Sequence, residues 1–128
     1  MRAGLEWMAG EVRASLEARD LEGFGALLAD DVRWGEDIVP NHCRSRSEVI
    51  DTFRRQISAG VAGRVSSVEL GPAGILCRLT VTFPVEKGGA RTRELFHLYR
   101  VSGDRITEID PFVDGRSALA ALGCGPAA

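Results

Sequence analysis

A histidine set into an otherwise apolar run is the most chemically suggestive feature of this sequence. His97 lies within Leu95-Phe96-His97-Leu98-Tyr99, and on an extended strand residues 95, 97 and 99 share one face. An imidazole among apolar neighbours gives up its proton more readily unless a nearby charge restores it. A neutral ring there can donate a hydrogen bond to a developing enolate, or take a proton near neutral pH. The plain alternative is a structural histidine with its hydrogen bond satisfied. Glu36, two residues after Trp34, is the second candidate. A carboxylate beside an indole in a water-poor pocket holds its proton more tightly, which suits a general base that removes a proton next to a carbonyl. The alternative is a solvated loop carboxylate. Asp37 shares the candidacy, because a shift of one residue exchanges the two. Asp110, followed by Pro111, is a further acid–base candidate, set against the reading of an edge-strand carboxylate beside a proline.

His42 and Cys43 are adjacent, and side chains of chain neighbours rarely face one another, so the pair is not a nucleophile–base dyad by itself. His42 is a candidate for the mouth of a pocket, and Cys43 reads as a packing residue. Trp34, Phe53 and Tyr99 are candidate pocket walls or ordinary core. The two histidines form no HxH or HExxH pattern, so no metal site is expected. No GxGxxG, P-loop or GxSxG motif occurs, and no cofactor is implied. Cys43, Cys77 and Cys124 are an odd number at wide spacings without a CxxC. That argues against a disulfide framework or structural zinc. Cys77 sits in an alternating apolar run and reads as core.

Placing these groups requires a scaffold. Leu5, Met8, Ala9, Val12 and Leu16 recur at helical spacing and make one apolar stripe. Asp20 reads as the N-cap of a second, short helix carrying Phe24, Leu27 and Leu28. Asp30-Asp31 reads as a turn and Val32-Arg33-Trp34 as a short strand, followed by an irregular loop over 35–44. Ser45-Arg46-Ser47-Glu48 fits a capping box, with Glu48 reaching back to the Ser45 amide. The helix behind it turns Val49, Ile50, Phe53 and Ile57 inward and ends near Gly60. Beyond Gly60 the apolar period changes from 3.6 to 2. Strands are expected within 61–70, over 75–83, over 92–101 and over 106–113, joined by short glycine-bearing turns, as in an antiparallel meander. Asp114 is placed to cap a last helix through Leu122. The implied fold is α+β, a strongly curved antiparallel sheet with three helices on its concave face, in a single domain over 1–128.

Bulk properties bound the function. The chain has 128 residues, 45% of them hydrophobic, and 16 basic against 18 acidic side chains for a net charge of −2. Such a balance gives no basic field for nucleic acid, and no run is long and apolar enough to cross a membrane. Glu6 and Glu11 interrupt the start of the chain where a signal-peptide core would lie, so a cytoplasmic location is the expectation.

Three passages then carry a resemblance. Leu27-Leu28-Ala29-Asp30-Asp31-Val32-Arg33-Trp34, Arg46-Ser47-Glu48-Val49-Ile50 and Gly103-Asp104-Arg105-Ile106-Thr107-Glu108-Ile109 resemble, in order and spacing, segments of the nuclear transport factor 2-like superfamily. Within it the chain looks most like SnoaL-like polyketide cyclases and ketosteroid isomerases. The resemblance implies a cone-shaped α+β barrel around a pocket. It places Glu36 at the isomerases' carboxylate base and His97 at their oxyanion-stabilising acid. Their helix-one tyrosine falls on Val12, which has no donor, and that departure argues against steroid isomerisation. The expected function is cofactor-independent isomerase, cyclase or lyase chemistry on a small hydrophobic carbonyl compound. Non-catalytic binding of a hydrophobic ligand is the alternative, and epoxide hydrolysis comes last, because no Arg-x-Asp lies on a strand. A homodimer is expected, since Leu76, Thr80, Phe96 and Leu98 sit together on the open face of the sheet.

Overall fold

The computed structural model describes residues 2–35, 43–85 and 88–123. The elements run α1 (Arg2–Ala18), α2 (Leu21–Gly25), β1 (Leu28–Trp34), α3 (Arg46–Ser58), β2 (Ala62–Gly71), β3 (Gly74–Pro84), β4 (Ala90–Ser102), β5 (Arg105–Phe112) and α4 (Gly115–Leu122). The strands form one open, curved sheet in the order β1-β5-β4-β3-β2. Neighbours from β2 to β5 pair antiparallel, and β1 joins the edge parallel to β5. β1 is longer than the sequence suggested. It starts at Leu28 and runs through Asp30 and Asp31, which lie in a stretch of broken register rather than a turn.

Helix stripes and strand alternation together make the core. Met8, Ala9 and Val12 of α1, Phe24 of α2 and Val49 of α3 are buried with Ile75, Cys77, Leu79 and Tyr99 on the concave side of the sheet. α1 ends in the way its hydrogen bonds dictate. The Asp20 amide bonds the Ser15 carbonyl and the Arg19 amide bonds that of Leu16, a Schellman closure. It forces Arg19 to φ 56, where glycine is the usual occupant. Asp20 then caps α2 by accepting from the Gly23 amide.

Ser45 caps α3 as expected, accepting from the Glu48 amide. The Glu48 carboxylate accepts instead from the amide of Arg44, one residue upstream of the anticipated partner, at 2.7 Å. Arg46 fastens this helix to β1, with its Nη2 2.7 Å from the Leu28 carbonyl oxygen. At the β2–β3 turn, a Cβ on Gly74 would drive into the Tyr99 carbonyl oxygen, so only glycine fits.

The outer face of the sheet differs from expectation. α4, capped by Asp114, lies across it and buries Leu76, Phe96 and Leu98 against Ala118 and Leu122. Thr80 on the same face bonds the Ser66 hydroxyl at 2.7 Å. The apolar groups that had suggested a second copy are therefore covered within the chain and supply no argument for a dimer.

Candidate functional site

Strand alternation decides what reaches the interior. Along β4, Leu95, His97 and Tyr99 point to the concave side, while Phe96, Leu98 and Arg100 point outward. Directly opposed residues share a face, and His97 stands opposite Cys77 of β3 and Pro111 of β5. The space between this wall and α1–α3 is a cavity of about 310 Å³. Its lining includes Leu16, Phe24, Trp34, Phe53, Leu79 and His97.

One end of the cavity is a chain of aromatic contacts. The Trp34 ring stacks on Phe53 with centroids 4.8 Å apart and planes 17° from parallel. Phe53 meets Phe24 edge-on at 5.4 Å, and Phe24 meets Tyr99 edge-on at 6.0 Å. The His97 ring stands edge-on to Trp34 at 5.6 Å and to Tyr99 at 6.0 Å. Each geometry is among those favoured by the ring quadrupoles. Because α2 and α3 supply Phe24 and Phe53, their packing positions the histidine.

His97 is 7% exposed, the one polar side chain among the buried described residues apart from the Tyr99 hydroxyl. Burial pulls its pKa down to about 4, so the ring is neutral at physiological pH. Its Nδ1 lies 3.4 Å from the Tyr99 hydroxyl oxygen, a long contact. Burial also pushes the Tyr99 phenol well above its ordinary pKa, which keeps it protonated. With that O–H donating to Nδ1, the ring proton resides on Nε2, and the imidazole is a neutral hydrogen-bond donor. Cys77, across the sheet from His97, is likewise forced into its protonated form, with its pKa raised by burial to about 12. Such a thiol is a filler rather than a nucleophile.

The sequence-derived candidates separate into three groups. His97, Trp34 and Phe53 come together in the cavity wall, with Tyr99 buried directly behind His97. Glu36, Asp37 and His42 lie outside the described residues, as does Cys124. The described residues flanking the 36–42 segment are joined, since Trp34 and Cys43 exchange both backbone hydrogen bonds at 2.9 and 2.8 Å. Asp110 is not brought into the cavity. It stands opposite Leu98 on the outward-facing side of β5, and its carboxylate takes a 2.6 Å bond from Arg100 Nε. The strand period puts it on the face away from His97, so it is a partner for Arg100 rather than an acid–base group of this site. Cys43 is buried and bonded through Sγ to the Thr52 hydroxyl at 3.3 Å, as a packing residue would be.

Sequence reasoning missed Leu79, Val81 and Leu95 as cavity wall, although the same alternation that placed His97 marks them. It also missed Arg19, which borders the cavity. Nothing in a single sequence says that a helix will end on an arginine there. Among the described residues no three metal-ligating side chains converge, and no helix is long and apolar enough to cross a membrane.

Comparison with known proteins agrees with this geometry. The family model described as a SnoaL-like domain matches residues 10–109. An NTF2-like protein of unknown function from Burkholderia pseudomallei superposes with a TM-score of 0.69 at 21% identity, covering 93% of this chain and 97% of that one. A putative polyketide cyclase from Xanthomonas campestris gives 0.70 at 13% identity, with coverage of 94% and 98%. An LEH-like epoxide hydrolase from Mycobacterium tuberculosis gives 0.64 at 16% identity, with coverage of 93% and 84%. At these identities the likeness is one of fold. No curated protein matches the chain in sequence.

Proposed function

The chain belongs to the SnoaL-like domain family, and from that membership we propose that it performs cofactor-independent acid–base chemistry, of isomerase, cyclase or lyase type, on an apolar carbonyl compound held in the cavity. One observation carries the reading. The only buried ionisable group in the cavity lining, among the described residues, is the neutral imidazole of His97. A histidine whose pKa is near 4 is a poor base at neutral pH, so its role here is donation. Its N–H meets the substrate carbonyl oxygen and strengthens its bond as the oxygen gains charge in the enolate. A preorganised donor in a dry site of this kind typically lowers a barrier by about 3 kcal/mol. Proton removal from carbon is assigned to Glu36, with Asp37 as the adjacent alternative. Trp34 and Phe53 form the aromatic wall against which the substrate rests.

A second reading, binding without turnover, draws support from one fact. Apart from His97, no polar side chain of the described lining is fully buried. One experiment separates the two. 2-Tetralone is an apolar bicyclic ketone with exchangeable α-protons. Its deuterium uptake in D2O, followed by proton NMR, should exceed the buffer rate in the presence of the protein. Exchange should be lost in His97→Ala and in Glu36→Gln or Asp37→Asn. Bound ketone that exchanges no faster than in buffer would overturn the enzymatic reading in favour of the binder.

A further inference from the structure

Among the described residues, the charges around the cavity are of one sign. Among the described residues its lining contains Arg19, Arg64 and His97 as ionisable groups and no carboxylate. Arg64 leaves β2 on the outer face, opposite Thr80. The concave face of β4, followed outward from His97 through Leu95, continues to Arg93 and Arg91. Arg93 stands opposite Val81 and Arg91 opposite Phe83, and both of those partners line the cavity. Directly paired residues share a face, so these two arginines extend the cavity wall toward solvent.

Elsewhere several arginines are neutralised. Arg13 meets Glu17, Arg46 meets Asp30, Arg54 meets Asp51, Arg78 meets Glu94 and Arg100 meets Asp110. The side chains of Arg19, Arg91 and Arg93 have no such partner among the described residues. Arg19 in the lining, and Arg93 and Arg91 continuing the β4 wall, are cations at the edge of an apolar hollow with no ion-pair partner among the described residues, which suits an external anion.

We propose that the ligand of this cavity is an amphipathic organic acid, its apolar body inside and its carboxylate, or a similarly acidic group, at the open end against Arg93, Arg91 and Arg19. This rests on the reading of the cavity as a small-molecule site and specifies its substrate class. The dimensions agree. Arg93 and His97 are four residues apart on β4, about 13 Å along the strand. That span leaves room between the two positions for a compact ring system.

The test uses 1-adamantanecarboxylate and its neutral isostere 1-adamantanecarboxamide. Trp34 reports on the cavity, and replacing the exposed Trp7 (61% exposed) by Phe makes Trp34 the sole indole of the chain. Binding is read from its fluorescence. At low salt the carboxylate should bind about fivefold tighter than the amide, as expected for solvent-exposed ion pairs. That advantage should shrink in high salt. It should disappear in the Arg19→Gln, Arg91→Gln, Arg93→Gln triple variant, with amide affinity unchanged. Equal affinities, or an advantage that survives loss of all three arginines, would overturn the acid as ligand and leave the cavity reading intact. If neither compound alters Trp34 emission, both are overturned.

Discussion

Part of the acid destabilisation of this protein should come from one side chain, and its amount follows from where His97 sits. In the unfolded chain its imidazole titrates near 6.5. In the folded protein burial lowers that to about 4. Between these values the unfolded state binds a proton that the native state refuses, so unfolding becomes easier as pH falls. Above pH 6.5 both states are neutral and the group has no effect on pH dependence. Linkage gives a loss of about 1 kcal/mol at pH 5.5 and about 3 kcal/mol near pH 4, where the effect levels off. That is a large fraction of the stability of a small domain. Urea denaturation of wild type and His97→Gln at pH 7.5, 6.5, 5.5 and 4.5 isolates the contribution. Carboxylates such as Asp114, whose pKa is held down by bonds from Ser117 and Arg116, titrate equally in both proteins and cancel in the difference. The gap between the two stabilities should change by that amount in favour of the variant as pH drops. Parallel curves would refute the reasoning. So would an NMR titration of the native His97 ring with its midpoint near 6.5, which does not depend on the variant folding.

Three further outcomes follow from the same geometry. Phe24 is buried to 1% exposure and braces both Phe53 and Tyr99, so Phe24→Ala should cost about 3–5 kcal/mol by urea denaturation. Asp110→Asn removes a partly exposed pair with Arg100 on the outer face. It should cost less than about 1 kcal/mol and leave adamantanecarboxamide affinity unchanged by Trp34 fluorescence. Cys77, with its thiol pKa near 12, should escape iodoacetamide at pH 8 in the native protein and react once the chain is unfolded, as read by peptide mass spectrometry.

Much of the scaffold was legible because its signals are local. The stripe in α1, the caps Asp20, Ser45 and Asp114, and the period-2 run of β3 each depend on residues within a few positions of one another. Strand alternation likewise put His97 and Tyr99 on a common face. What local pattern cannot supply is which face a distant element covers. α4 turned the presumed open surface of Leu76, Phe96 and Leu98 into a second core, a tertiary outcome invisible from those strands alone. The same limit applies to Asp110. Its side of β5 was readable, but that this side faces Arg100 rather than the cavity depends on how β4 and β5 register. β1 illustrates a further gap. Asp30-Asp31 has turn composition, yet pairing with β5 and the Arg46 bond to the Leu28 carbonyl hold that stretch extended.

Nothing in core packing calls for an imidazole at position 97. A leucine there would bury apolar area without desolvating two nitrogens, and would not weaken the fold at acid pH. The compensation His97 receives from the protein is small, a 3.4 Å contact to Tyr99 and two edge-on rings. A position where sequence departs from what the fold alone prefers, with so little return in stability, is where function is expected to lie. The departure also has a direction. A mainly apolar cavity wall holds one buried unionised donor among the described residues, with arginines toward the solvent end of the same strand. A ligand matching both would be polar at its two ends and apolar between, entering with its carbonyl leading and its charge trailing. Reversing that orientation would bury the anion beside a ring already kept uncharged by desolvation. That penalty makes the orientation a physical consequence of the proposed ligand class, and a substrate that bound charge-first would contradict it.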